Sequence, residues 1–293
     1  MTLPVAAELP LSCDARSVEP NTGRISMTGS ASDRTELWLS LLRTLTAEFP
    51  RFAVWKNAAS AFAGTGDLDA LASRQDWPAI EQRFLTWSRR RGFGPVVICR
   101  HVPSGPHLLA VANDSDYLVH LDISTRGTFR GSTLVDVRKL QQLTEMDEQG
   151  YRRIRPGAEG IFKLCMNGTR RGGRPNHEAL EIKNVAPLLA SDPEGVRMAS
   201  HLLGPMSAAA RRGAAAVVEG GWDRAAMRQV EAWSLLRGLA EPQVAAGRLW
   251  VNHWAAKRCP VIRLVKENNR RLPDDREGWI AEVTSDHEVI DLR

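Results

Sequence analysis

Residues 61–73 read AFAGTGDLDALAS, and the two aspartates within them, Asp67 and Asp69, raise the question on which the fold turns. They stand two apart, after a small-residue turn and ahead of an apolar run. In a β-strand, residues two apart project to the same face, so both carboxylates would emerge together while Leu68 turns into the core. Two carboxylates held this close repel, and each tends to take up a proton unless a cation neutralises it. Mg²⁺ prefers carboxylate oxygens together with substrate phosphates, so the pair suits a metal seat. A solvated acidic turn leading into a strand suits it as well. Gly66 lets the chain turn tightly into that strand.

Two surrounding features bear on the choice. Asp122 lies in YLVHLDIS, at the end of an apolar strand, where Val or Ile would be ordinary and a carboxylate needs a partner. If that strand pairs beside residues 66–73, Asp122 completes a three-carboxylate cluster able to hold two metal ions. Two ions about 3.5–4 Å apart can activate an attacking oxygen and stabilise a leaving pyrophosphate. The second feature is VWKN, upstream of the pair: a strand, a polar turn and a short helix would aim Lys56, Asn57 and a helix N-terminus at phosphates.

WKN, then GTGDLDAL, then LVHLDI resembles the minimal nucleotidyltransferase fold of the DNA polymerase beta-like superfamily. It is most similar to a group of uncharacterised nucleotidyltransferase-like proteins of bacterial gene clusters. The resemblance spans roughly residues 35–185. The family turn carries Gly, then Gly or Ser, where this chain has Lys56 and Asn57, and that departure puts the turn's role in doubt. The resemblance implies a small mixed sheet with flanking helices and Mg²⁺-dependent transfer of a nucleoside monophosphate from an NTP. It implies Asp67, Asp69 and Asp122 as ligands of two Mg²⁺ ions, with Asp122 also taking the acceptor's proton. Asn57 would then contact the β- and γ-phosphates, Lys56 would pair with phosphate or point away, and Gly66 would complete the phosphate-side turn. Lys163, in GIFKLCMNG, is the candidate for a triphosphate contact, and Arg170 and Arg171 are weaker ones.

Along the chain, residues 1–32 read as a flexible arm rich in Pro, Ser, Thr and Gly. Residues 33–155 mix helix and strand signals. SDRTELWLSLLRTLTAEF is a helix with Asp33 and Glu36 as a capping-box-like start, and WPAIEQRFLTWSRRRGF is an amphipathic helix with a basic last turn. RFAVWKN, GDLDALAS, PVVICRHV, HLLAVAN and YLVHLDIS read as strands, the last two joined by a hairpin turn at residues 113–116. Residues 156–293 read as a helical domain. Its helices are expected at 177–190, 193–203, 205–219, 222–239, 242–258 and near 260–271; TRRGGRPN is expected as a loop, and the tail is ambiguous. The fold class is therefore α+β, a sheet domain followed by helices.

Composition narrows the function. The 293 residues carry a formal charge of +5, concentrated in Arg89–Arg91, Arg170–Arg174 and the stretch from Lys257 to Arg271. Such clusters suit a polyanion, whether a nucleoside triphosphate, RNA or another phosphorylated molecule, although solvated helix ends explain any one of them. No window approaches 18 uninterrupted apolar residues, so no membrane partner is expected. The N-terminus lacks the charged and apolar regions of a secretory signal, and the four scattered cysteines read as reduced thiols; both point to the cytoplasm. There is no GxSxG elbow and no HxxxH pair, and GTRRGG lacks the GK[ST] of a phosphate loop. His120 shares the face of Asp122 and reads first as a hydrogen-bonded structural residue, second as a substrate or ligand contact. Trp222, Trp233, Trp250 and Trp254 read as packing between helices, with an aromatic wall for a base as the alternative. A small-molecule acceptor, such as a sugar or antibiotic-like metabolite, is preferred over macromolecules because the basic patches are dispersed. Nucleotide addition to tRNA or protein, and a non-catalytic nucleotide-binding scaffold, are the alternatives.

Overall fold

A computed structural model describes residues 31–64, 66–93, 96–99, 105–111, 118–182, 184–250 and 288–290. The arm at 1–30, the turn at 113–116 and the expected helix at 260–271 lie outside the described residues. So does all of the expected helix 242–258 beyond Trp250.

In chain order the elements begin with α1 (Ala31–Glu48), β1 (Ala53–Lys56), α2 (Ala58–Phe62), β2 (Leu68–Leu71), α3 (Trp77–Arg90), β3 (Val96–Cys99), β4 (His107–Val111) and β5 (Leu118–Ser124). A second stretch holds β6 (Arg126–Phe129), β7 (Ser132–Asp136), α4 (Val137–Leu140), β8 (Thr144–Met146) and β9 (Arg152–Ile154). There follow α5 (Pro156–Met166), β10 (Thr169–Arg170), β11 (Arg174–Pro175), α6 (His177–Ile182), α7 (Val185–Ser191), α8 (Pro193–Leu202), α9 (Ser207–Val218), α10 (Arg224–Leu239), α11 (Pro242–Trp250) and β12 (Glu288–Ile290).

Eight strands form one mixed sheet in the order β12-β3-β4-β5-β2-β1-β9-β8. β2 runs parallel to β5 and antiparallel to β1, while β1 runs parallel to β9. The class is α+β with flanking helices, as expected. Period-two alternation gives each sheet face its own core. On one face Val54, Leu68, Ala70, Leu108, Val119, Leu121 and Ile123 meet Leu37, Leu41 and Leu45 of α1 and Ile80 and Phe84 of α3. On the other, Trp55 and Leu71 meet Ile161, Phe162 and Leu164 of α5, and this core continues through α7 to α10. Trp55 and Phe162 lie with ring centroids 6.2 Å apart.

Several local expectations shift. The first helix starts at Ala31, so Asp33 lies within its first turn rather than at its cap. The expected loop TRRGGRPN closes as the tight β10–β11 hairpin, because Gly172 and Gly173 both adopt positive φ (74° and 65°). The ambiguous tail supplies β12, which pairs antiparallel with β3. Trp222 packs on the α5 core and donates to the Gly173 carbonyl at 2.8 Å, whereas Trp233 is 42% exposed and does not serve as interhelical packing. Cys99 and Cys165 are buried, and burial pushes the Cys165 thiol up to about 12.

The helices that back the sheet are locked at one carboxylate. Asp192 caps α8 by accepting from Gly195 N at 2.9 Å and reaches across to accept from Gly157 N at 3.2 Å, at the start of α5. Arg155 grips the same carboxylate through Nε (3.1 Å) and Nη2 (2.5 Å). The two helices approach so closely at this point that a Cβ on Gly157 would stand 2.0 Å from the Asp192 carbonyl oxygen. Burial pushes the Asp192 carboxyl up, but Arg155 and the two N–H donors outweigh it and hold it below the ordinary carboxylate value. Asp192→Ala strands those donors and is expected to cost about 3 kcal/mol in urea unfolding. Because the folded carboxyl is more acidic than the unfolded one, its contribution is complete above the unfolded value. It fades as pH falls below about 4, so the stability gap between wild type and Asp192→Asn should narrow there.

Candidate active site

The β2–β5 register sets the site. Leu68 lies opposite Leu121 and Asp69 opposite Asp122, so the two acids stand side by side on neighbouring parallel strands. Asp67, immediately before β2, shares the face of Asp69. One carboxylate oxygen from each of Asp67, Asp69 and Asp122 lies within 4.8 Å of the others. The three acids expected to meet therefore do meet. Gly66 sits where the chain enters the strand; a Cβ there would come within 3.3 Å of Ser60 Cβ, so a small residue suits this approach to α2.

The turn after β1 explains the chain's departure from the family pattern. Strand alternation would send Lys56 to the α1 face, but a register irregularity between Val54 and Lys56 sets Lys56 opposite Asp69. Its Nζ lies 3.0 Å from Asp69 Oδ1 and 5.1 Å from the centroid of the Trp55 ring. Asn57 adopts the left-handed conformation (φ 68°, ψ 13°), where glycine is easiest and asparagine is among the best tolerated alternatives. Its Nδ2 donates to Asp69 Oδ2 at 2.6 Å and its backbone N to Glu159 Oε1 at 3.3 Å. Lys56 and Asn57 thus engage both oxygens of Asp69. At five residues α2 is too short to contribute much dipole to a phosphate site.

On the other side of the cluster, His107 of β4 pairs in register with Asp122, and His120 lies two residues before it on the same face. His107 Nδ1 contacts Asp122 Oδ1, and His120 Nε2 lies 2.6 Å from the same oxygen. Burial would raise the Asp122 carboxyl, but the imidazoles of His120 and His107 hold it well below the usual range. Burial alone would lower His120; Asp122 reverses this and lifts it to about 9. Burial, assisted by Asp67 and Asp122, pushes Asp69 up to about 6 against the pull of Lys56. Burial opposes the charge on Lys56, yet Asp69 and Asp67 outweigh it and raise its value. Asp67 has no hydrogen bond or ion pair among the described residues.

Lys163 is buried on α5, with Nζ 2.5 Å from Glu159 Oε1, and so lies behind the Asn57 backbone. Arg170 is exposed on the β10–β11 hairpin and donates to Asn176 Oδ1 at 2.9 Å; Arg171 is exposed beside it. Two residues of the site went unnoticed in the sequence. Glu159 is a buried acid that ties Asn57 to Lys163; its i,i+4 spacing to Lys163 is the one local signal, and it does not point to Asn57. No HxxxH spacing marks His107, but the antiparallel pairing of HLLAV with YLVHLDIS places it beside Asp122.

No family model matches the chain, and no curated protein does. Two solved structures from Helicobacter pylori are similar to it at 13% identity each. JHP933 has a TM-score of 0.39, with 74% of this chain and 95% of that one covered. A candidate nucleotidyltransferase has a TM-score of 0.29, with 73% and 97% covered. Likeness at these scores carries no inference about activity. The chain's own topology sets the site: a strand, a tight turn and a short helix, then two spaced acids, Asp67 just before one strand and Asp69 on it, and a third on its parallel neighbour.

Asn57 supplies a direct check on the turn. Asn57→Gly and Asn57→Ala lose the same bond to Asp69, but only alanine meets the left-handed penalty. The alanine variant should unfold with about 1 kcal/mol less stability than the glycine variant. Equal urea midpoints would mean that the turn relaxes out of this conformation.

Proposed function

We propose that the protein is a nucleotidyltransferase that moves a nucleoside monophosphate from an NTP to a hydroxyl or amine of a small-molecule acceptor. The observation that supports this best is the alignment of Asp69 with Asp122 across β2 and β5, with Asp67 joining them and Lys56 and Asn57 facing them.

The donor set fits Mg²⁺: three carboxylates supply hard oxygen ligands, and Lys56 Nζ stands against Asp69 as an internal cation. Asp67, Asp69 and Asp122 would hold the ions. When bound, Mg²⁺ neutralises the triphosphate and the departing pyrophosphate. Lys56, released from Asp69, would turn its ammonium to a phosphate oxygen. Asn57 would offer its side-chain amide, with its backbone fixed by Glu159; Lys163 acts through that same glutamate. Arg170, exposed on its hairpin, would give up Asn176 to meet either the triphosphate or the acceptor.

In the reaction the acceptor oxygen or nitrogen attacks the α-phosphorus, the α–β phosphoanhydride bond breaks, and pyrophosphate leaves. The acceptor's proton passes to Asp122. Because its imidazole neighbours keep Asp122 a weak base, it takes that proton as the new bond forms, when the acceptor has become acidic. A protein that draws on NTP would work in the cytoplasm, the location we propose for it. No helix among the described residues is long and apolar enough to cross a membrane.

Release of pyrophosphate from a panel of NTPs, with Mg²⁺ and a library of sugars and aminated metabolites, tests the proposal. Asp67→Asn combined with Asp69→Asn should lower Mg²⁺-dependent turnover by more than about 100-fold while leaving the fold intact. Full turnover in that double variant would remove these residues from catalysis.

A further inference from the structure

The histidines beside Asp122 are more than a brace for that carboxylate. We infer that His107, His120 and Asp122 form a second cation site, which takes a first-row transition-metal dication such as Zn²⁺ or Co²⁺ rather than Mg²⁺. The inference concerns binding, and it stands whether or not the chain transfers nucleotides.

The backbone builds this site on rigid elements. His120 and Asp122 are two apart on β5, and His107 lies directly across from Asp122 on antiparallel β4, so all three side chains leave the same face of the sheet. Directly opposed residues of an antiparallel pair have their Cβ atoms about 4.5–5.5 Å apart, close enough for short side chains to converge on one point. They do converge: one ligand atom from each residue lies within 4.8 Å of the others, and the imidazole centroids are 5.9 Å apart.

The contact geometry also suits a shared ion. His120 Nε2 is buried and lies 2.6 Å from Asp122 Oδ1, yet it is not aligned to hydrogen-bond there. His107 Nδ1 is directed at the same oxygen. Two nitrogens crowding one carboxylate oxygen is an arrangement that a dication among the three would relieve. Two imidazole nitrogens and one carboxylate oxygen are the ligands of zinc, iron and cobalt centres, whereas Mg²⁺ prefers oxygen alone. With three protein ligands, coordination positions stay open for water or substrate. Asp122 is common to both clusters, so the imidazole site adjoins the acids at Asp67 and Asp69.

Co²⁺ binding to the untagged full chain tests this, followed by ligand-field absorption and by metal content after dialysis. Wild type should bind Co²⁺ with an absorption spectrum of low coordination number. His107→Gln and His120→Gln should each weaken that binding by about tenfold or more. Asp67→Asn with Asp69→Asn should keep the histidine-dependent spectrum even though turnover is lost, which separates this site from the nucleotide reaction. X-ray absorption on the Co²⁺-loaded wild type needs no variant to fold and should show two imidazole ligands. An all-oxygen shell, or Co²⁺ affinity unchanged by both histidine substitutions, would overturn the inference and leave the histidines as supports for Asp122.

Discussion

Repulsion among three carboxylates is the constraint on which the rest of the site depends. Oxygens of Asp67, Asp69 and Asp122 lie within 4.8 Å of each other. At an effective dielectric near 20, each pair of charges at that distance costs about 3.5 kcal/mol. Three such pairs rival the whole stability of an ordinary domain, about 5–15 kcal/mol. The chain tolerates this by setting its own nitrogen groups against the acids: the Lys56 ammonium on Asp69, and the His107 and His120 rings on Asp122. Burial first, with Asp67 and Asp122 after it, still pushes Asp69 up to about 6 against the pull of Lys56. Entering cations would offset the repulsion that remains.

The fold keeps the acids together through strand register rather than through loops. Asp69 and Asp122 cannot separate without breaking the β2–β5 ladder, whose other residues are fully buried at Leu68, Ala70 and Leu121. Behind the turn, Glu159 is the hub. It accepts from the Asn57 backbone, pairs with Lys163 and lies 3.7 Å from Arg153 Nη2, while Nη1 of the same guanidinium holds Asp147 at 3.2 Å. A buried glutamate with several cationic or N–H partners is costly to disturb, because removal of one partner leaves the rest uncompensated. Helix α5 thus does more than cover the sheet: through Glu159 and Lys163 it sets the position of Asn57.

Much of this was legible in the sequence because it depends on short-range periodicity. The two-residue spacing of Asp67 and Asp69 places them on one face in any strand, and the apolar run before Asp122 marks its strand as buried. Lys56 and Asn57 were harder. The β1 irregularity that turns Lys56 toward Asp69, and the left-handed backbone at Asn57, are local conformations that residue type alone suggests weakly. The histidine at position 107 depends on antiparallel pairing between two strands, a long-range register that spacing within one segment cannot reveal. Residues 126–154 hold strands that periodicity did not mark, since β6, β8 and β9 are short and carry Arg, Thr and Gly. Glu159 was hard to see for a similar reason: Lys163 and Arg153 are near it in the chain, but the partner that ties it to the site, Asn57, lies 102 residues away.

The central claim is that the three carboxylates are a cation and triphosphate site whose internal lysine yields to substrate. Crystals grown with Mn²⁺ and a non-hydrolysable NTP analogue test it most directly, through anomalous scattering from the metal. The account predicts a Mn²⁺ peak bonded to Asp67, Asp69 and Asp122, with Lys56 Nζ moved from Asp69 to a phosphate oxygen. A nucleotide bound elsewhere, with no metal among these carboxylates and the Lys56–Asp69 pair intact, would contradict it.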